Sequence, residues 1–152
     1  MDTKLIDDLR DLLSSQRFGV LATRDEHGHP YTSLVAIAME GHPSRLLFAT
    51  LRATRKFKNM QGHPRVALLV DTRSNSEKDI REAMAVTFLG SIEELDEEAQ
   101  SRGAQRLLEK HPAMEEFLRS PGCAVLRLKC ARASAVTRFQ WVRDVLFDGQ
   151  ER

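Results

Sequence analysis

The sequence has little cysteine, few aromatic residues and almost no net charge. Two of its 152 residues are cysteine, 6% are aromatic, and 23 Lys and Arg stand against 22 Asp and Glu, a formal net charge of +1. Cys123 and Cys130 lie seven residues apart on one predicted strand, so their side chains point to opposite faces and we expect reduced thiols. Balanced charge and scarce aromatics argue against nucleic-acid binding, which needs a basic field or stacking platforms.

Several functional segments are also missing. No apolar run approaches the roughly 20 residues of a membrane-spanning helix. The acidic start, with Asp2, Asp7 and Asp8, is unlike the basic start of an export signal. His27 and His29 could hold a metal, but no carboxylate or third histidine follows them at metal-ligand spacing, and no GxSxG nucleophile motif is present. We therefore expect a soluble cytoplasmic protein with no metal site and no membrane contact, folded as a single domain over residues 1–152.

Hydrophobic periodicity predicts a mainly β protein with flanking helices. Apolar residues at helical spacing predict helices at 3–15, at 53–61, from Asp96, and from Pro112. Alternating or continuous apolar segments predict strands at 18–23, 31–39, 46–50, 66–70, 85–95, 123–130 and 133–142. The first two strands form a hairpin whose turn contains Gly28, and residues 71–79 form a polar loop.

This α+β pattern predicts a six- to seven-stranded antiparallel sheet. The strands at 20–23 and 34–38 are apolar on both faces, which indicates either a closed barrel or a sheet covered by a partner. Leu34, Ala36 and Ala38 share one face that a lone subunit would leave exposed. A homodimer would cover that face.

The segment from Thr50 to Lys58 carries the clearest chemical signal. Four cations and two hydroxyls meet where a strand passes into a helix. Placing Arg55 and Lys56 at a helix N-terminus is unfavourable by roughly 0.3 to 1 kcal/mol each unless an anion binds there. With the hydroxyls of Thr50 and Thr54 and the helix amides, they would suit a phosphate. A solvated basic helix face is the simpler alternative.

Two stretches are similar to a known family. VLATRDEHGHPYTSLV at 20–35 and LLFATLRATRKFKNMQGHPRVALLV at 46–70 resemble the pyridoxamine 5'-phosphate oxidase-like FMN-binding split barrels. The first matches the family's V-L-A-T-x-D-x-x-G-x-P strand, and the second its T-x-x-x-S/T-R-K-x-x-x-x-x-x-x-P-x-V phosphate segment. The similarity extends over roughly residues 5 to 95.

The resemblance implies a split β-barrel homodimer with FMN at the subunit interface. By position, Thr50, Thr54, Arg55 and Lys56 would hold the phosphate and ribityl chain. The flavin ring would be lined by Ser33, Leu34, Val35 and Ala36, partly through backbone amides. Gln140 and Trp141 resemble contacts that the partner subunit lends to the flavin, although Trp141 would equally suit core packing.

Departures from the family pattern restrict the activity. Ser33 and Ala38 stand where the vitamin B6 oxidases carry arginine and lysine, and Ala85 stands in place of a flavin-contacting glutamine. We therefore do not expect pyridoxamine phosphate oxidation. Heme-degrading relatives use a C-terminal histidine, whereas none follows His111 here.

The resemblance favours an FMN-dependent oxidoreductase acting on a small molecule, with no catalytic side chain assigned. A non-catalytic electron carrier or redox sensor is the alternative, and a deazaflavin or another phosphorylated ligand would meet the same cations. The loop at 71–83 would border the substrate. Its Arg73, Lys78 and Arg81 either favour an anionic substrate or belong to a solvated loop.

Overall fold

The computed structural model describes residues 2–147. Its helices are α1 Thr3–Ser15, α2 Arg55–Gly62, α3 Asp79–Glu82, α4 Glu97–Lys110 and α5 Glu115–Arg119, with a 3-10 turn at Pro112–Met114 between the last two. Its strands are β1 Phe18–Arg24, β2 Pro30–Glu40, β3 His42–Leu51, β4 Arg65–Asp71, β5 Met84–Glu94, β6 Cys123–Thr137 and β7 Trp141–Leu146. The α1 prediction is confirmed, and the side chain of Asp2 caps this helix by accepting from Leu5 N–H at 3.1 Å.

Six strands close into an antiparallel barrel and a seventh extends it. The strand order is β3-β2-β1-β4-β5-β6-β7, and an additional pairing between β3 and β6 closes the ring. Strand β7 pairs with the C-terminal part of β6, where Thr137 lies opposite Trp141. The predicted antiparallel barrel is confirmed, in its closed form.

Apolar side chains fill the barrel and two helices close its ends. Leu21, Leu68 and Phe88 point inward from β1, β4 and β5 and are fully buried. The leucine face of α1 packs at the end where β1 begins, and α2 packs Phe57 and Met60 at the end where β1 finishes. The barrel therefore has an α1 end and an α2 end.

The last third of the chain corrects the sequence prediction. Residues 123–137 form one strand rather than two, and the second predicted strand ends at the turn that follows Thr137. Leu89 pairs with Arg132 and Gly90 with Cys130, so Ala131 is an extra residue in a β-bulge. A Cβ on Gly90 would overlap the Lys129 carbonyl oxygen, which explains the glycine opposite the bulge. The bulge shifts the alternation of inward and outward side chains by one residue. A sequence pattern with a strict two-residue period therefore predicts a strand break at this point.

Helix α4 covers part of the outer surface of the barrel. Its Ala99 and Leu107 pack on Ala38 and Leu47 of β2 and β3. Ala38 is therefore buried within the chain, and the prediction that it would be exposed is wrong. Leu34 is 67% exposed on the same face of β2, beyond the reach of α4.

None of the helices between residues 2 and 147 is both long enough and apolar enough to span a bilayer.

Candidate functional site

Strand β2 pairs along only part of its length with β3. The pairing begins at Ile37, opposite Phe48, and continues toward Glu40, whereas β1 pairs with β2 from Pro30 to Ala36. Within the described residues, the N-terminal half of β2 therefore has a strand on one side only. We call this gap between β2 and β3 the split.

The backbone direction in the split follows from one hydrogen bond. Ile37 N–H donates to Arg17 O at 3.1 Å, on the β1 side. Because backbone groups alternate along an antiparallel strand, the amides of Leu34 and Ala36 point the other way, into the split. Val35 is buried in the core and presents only its backbone outside the barrel.

Ser33 lies on the same half of β2 and faces inward with its neighbour across the ladder, Leu21. Its Oγ is the one buried side-chain nitrogen or oxygen atom in residues 2–147 that has no hydrogen-bond partner. Such a group is unfavourable by about 1 to 3 kcal/mol when nothing satisfies it. The half of β2 that borders the split therefore has an unsatisfied hydroxyl on its inward face as well as amides that point into the split.

Helix α2 begins where β3 ends, because Thr54 caps it. Thr54 Oγ1 accepts from Phe57 N–H at 3.3 Å and donates to Leu51 O at 2.8 Å. Thr50 is almost fully buried, and its Oγ1 lies 2.9 Å from Thr54 Oγ1. Both predicted phosphate-binding hydroxyls thus already have partners inside the chain. Their structural effect is to fix the first turn of α2.

The first turn of α2 is strongly cationic. The sequence contains no Asp or Glu from residue 41 to residue 70. Within the part of the chain that the structure describes, none of the cations near the helix start forms an ion pair; these are Arg52, Arg55, Lys56 and Lys58. The N-terminus of α2 therefore has an uncompensated positive charge, an arrangement that favours the binding of an anion.

Two contacts attach α2 to the half of β2 that borders the split. The Arg55 guanidinium carbon lies 5.5 Å from the ring centroid of Tyr31. One turn further along the helix, Asn59 Nδ2 donates to Thr23 Oγ1 at 3.0 Å, and this hydroxyl donates to Tyr31 O at 3.4 Å. The cations of α2 and the open edge of β2 are therefore neighbours.

Gln140 and Trp141 lie at the opposite end of the barrel. Thr50 pairs with Ala124 at the start of β6, and Trp141 pairs with Thr137 at its end. At about 3.3 Å per residue, these points are separated by roughly 40 Å of strand. A single subunit therefore does not bring Gln140 and Trp141 to the cations of α2.

The turn before Trp141 is strained and exposed. Arg138 and Phe139 have φ values of 53° and 58°, which non-glycine residues rarely adopt. Phe139 and Trp141 are both exposed, and the Arg138 guanidinium carbon lies 4.8 Å from the Trp141 ring centroid. Core packing, the alternative expected for Trp141, is excluded by its exposure.

The loop after β4 has internal hydrogen bonds and leads into the short helix α3. The Asp79 carboxylate accepts hydrogen bonds from Ser74 N–H and Ser76 N–H, which hold the pKa of Asp79 below its usual value. Arg73 forms an ion pair with Asp71 at 3.1 Å, so its charge is compensated within the chain. Of the three cations considered for an anionic substrate, Lys78 and Arg81 keep their charge uncompensated by any described residue.

The cysteines lie in different apolar clusters on opposite faces of β6, as predicted. Burial raises the pKa of Cys130 to about 12, so this thiol stays protonated at neutral pH. Burial also raises the pKa of Cys123. Neither group has the lowered pKa of a reactive thiol.

Sequence reasoning did not identify Tyr31, Thr23 and Asn59 as parts of this region. A signal was available, because Asn59 is a polar residue between the core residues Phe57 and Met60. Thr23 likewise follows Gly19 and Leu21 on the inward face of β1. Polar residues at core positions usually have a specific partner.

The sequence model of the pyridoxamine 5'-phosphate oxidase family matches residues 5–137. The chain belongs to this family. The match extends beyond the similarity noted from the motifs and includes β6. A comparison with curated proteins found no significant match.

Solved structures share the fold at low sequence identity. A heme binding protein from Mycobacterium smegmatis has a TM-score of 0.83 at 18% identity over 93% of this chain, which spans 57% of that protein. HutZ, the heme storage protein from Vibrio cholerae, has a TM-score of 0.71 at 16% identity, covering 82% of this chain and 88% of HutZ. A Clostridium acetobutylicum protein related to general stress protein 26 has a TM-score of 0.75 at 15% identity, covering 97% and 98%. At these identities the likeness shows the fold alone.

Proposed function

We propose that this protein binds FMN in the split and acts as an FMN-dependent oxidoreductase on a small molecule. The observation that carries the proposal is the contact of Arg55 with Tyr31 at 5.5 Å. This contact brings the start of α2, whose positive charge is uncompensated, next to the edge of β2 whose amides point into the split. FMN needs these two kinds of group, since it has a phosphate at one end and a polar ring at the other.

The phosphate end would be held by α2. Arg55 offers a planar fork for two oxygens and Lys56 a compact charge, while the helix start offers amide groups. Thr50 and Thr54 contribute by holding the first turn in place through their 2.9 Å contact. We therefore assign the direct phosphate contacts to Arg55 and Lys56.

The ring end would be held by β2. Its edge presents the amides of Leu34 and Ala36, and the adjacent inward-facing Ser33 Oγ has no hydrogen-bond partner among the described residues. FMN supplies hydride and electron transfer when bound. The amides would stabilise negative charge on the reduced ring, and the strand face would exclude water.

A second copy of the chain would complete the site. Leu34, Val20 and Leu69 lie in register across β2, β1 and β4, on an outer face that no helix of residues 2–147 covers. An apolar face of this kind is typical of a subunit interface. Because Gln140 and Trp141 lie far from α2 in their own subunit, a flavin contact from them would come from the partner.

The same FMN site in the split would also suit an electron carrier or a redox sensor. Rapid reduction of bound flavin by a nicotinamide, with turnover on an added acceptor, would support an enzyme. Slow reduction without turnover would support a carrier.

The first experiment is a visible absorption spectrum of the purified protein before and after FMN is added and removed by desalting. We expect retained flavin bands and a size-exclusion mass of twice the chain. Parallel incubations with hemin and with a deazaflavin test the other ligand classes. Retention of either one without retention of FMN would overturn the proposal.

A further inference from the structure

The buried contact between Asn59 and Thr23 is not explained by packing. Asn59 and Thr23 are 6% and 4% exposed, and they are two of the four buried polar residues in the described part of the chain. Apolar contacts of Phe57 and Met60 already anchor α2 in the core. A buried amide needs a hydrogen bond to offset its lost hydration, and that bond restricts distance and direction in a way that apolar contact does not.

The geometry joins two neighbours on the helix to two neighbours on the hairpin. Arg55 and Asn59 are four residues apart, so they lie on the same face of α2. Thr23 and Tyr31 are directly opposite each other in the β1–β2 ladder. Arg55 contacts the Tyr31 ring, and Asn59 reaches Tyr31 O through the Thr23 hydroxyl. Both helix residues are thus connected to the same point of β2.

We propose that Asn59 and Thr23 are positioning residues, which set the distance and angle between the cationic turn of α2 and the open edge of β2. This inference rests on the proposed function, because it concerns the two halves of the FMN site. A ligand that spans both halves depends on their spacing. A ligand that contacts only the β2 edge does not.

Riboflavin separates these cases, since it has the ring and ribityl chain of FMN but no phosphate. In Asn59→Leu, which keeps the number and branching of the side-chain heavy atoms but removes the amide, we expect the Kd for FMN to rise about tenfold. The Kd for riboflavin should stay within twofold of wild type. The ratio of the two constants is the readout, because a general loss of stability would not change it selectively.

Thr23 provides a matched pair of variants. Thr23→Ser keeps the hydroxyl and should retain the wild-type ratio, whereas Thr23→Val keeps the shape and should lose it. If Asn59→Leu fails to fold, the comparison of these two variants carries the test. Melting temperatures recorded beside the Kd values separate positioning from stability.

Two results would overturn the inference. One is an FMN affinity that stays at the wild-type value in both Asn59→Leu and Thr23→Val. The other is an equal loss of affinity for FMN and riboflavin, which would indicate a structural role only. Wild-type protein that binds neither flavin would instead refute the proposed function, and this inference with it.

Discussion

The two halves of β2 lie in the same strand but have different surroundings. The closed half, from Ile37 to Glu40, pairs with β3, and Ile37 N–H also donates to Arg17 O on the β1 side. Ile37 is almost fully buried. The open half, from Tyr31 to Ala36, pairs with β1 alone, and Leu34 is two-thirds exposed. The closed half joins β2 to β3 and so holds the barrel together. The open half has backbone groups without a strand partner on one side, an unsatisfied hydroxyl and an exposed apolar side chain. In the proposed function, a single strand serves both stability and binding.

The largest contrast should appear in stability. Ile37→Ala removes a buried side chain from the closed half, so we expect the free energy of unfolding to fall by about 2 to 5 kcal/mol. Thr32→Ala changes an exposed residue of the open half and should alter it by less than about 0.5 kcal/mol. Urea unfolding measures both, and equal losses would remove the distinction between the halves.

The second contrast concerns the ligand. The double variant Arg55→Ala/Lys56→Ala should weaken FMN binding about 100-fold or more, since each charge-assisted hydrogen bond contributes about 1.5 to 3 kcal/mol. Isothermal titration checks this, together with a melting temperature that stays near wild type. Lys58→Ala, on the same helix, is the matched control and should have little effect. An unchanged FMN affinity in the double variant would disprove the phosphate assignment.

The third test addresses the apolar face of the open half. Leu34→Lys places a charge on the proposed dimer interface and should raise the dimer dissociation constant about tenfold or more, given about 1.5 to 3 kcal/mol for burying a leucine. Ile80→Lys changes another exposed apolar residue, away from this face, and serves as the control. Analytical ultracentrifugation gives both constants. If Ile80→Lys dissociates the dimer and Leu34→Lys does not, the interface lies elsewhere.

The smallest effect is expected beside the closed half, where α4 ends. Lys110 Nζ donates to Leu13 O and Gln16 O, both at 2.7 Å. Burial, with a smaller effect of Arg17, lowers the pKa of Lys110 from 10.5 to about 8. Between these pH values the unfolded chain holds more protons than the folded chain, so stability contributed by this group rises as the pH rises.

After allowance for the solvent that reaches this half-buried side chain, the gain from pH 8 to pH 10.5 should be about 1 to 2 kcal/mol. Urea unfolding across this range measures it. Lys110→Met should remove that part of the pH dependence. A wild-type curve that falls throughout the range, with the same slope in the variant, would contradict the prediction.

Much of the barrel could be predicted from the sequence because its strands keep a regular period. The β1–β2 hairpin and α1 follow directly from alternation and helical spacing, and the cations of α2 are visible as a local cluster. The bulge at Ala131 was missed because one extra residue reverses the inward and outward positions without changing composition. The sequence also could not predict the hydrogen bonds within the chain that Thr50 and Thr54 make, or the distance from α2 to Trp141. Both depend on how the strands pair.

The open edge of β2 also affects how the chain behaves before it binds a ligand. A strand edge without a neighbour is a template onto which another chain can add, the route by which many β proteins aggregate. Residues 31–36 form such an edge within the described part of the molecule. In the proposed function a flavin lies along this edge and would block strand addition, so we expect flavin supply during expression to affect the yield of soluble protein as well as its colour.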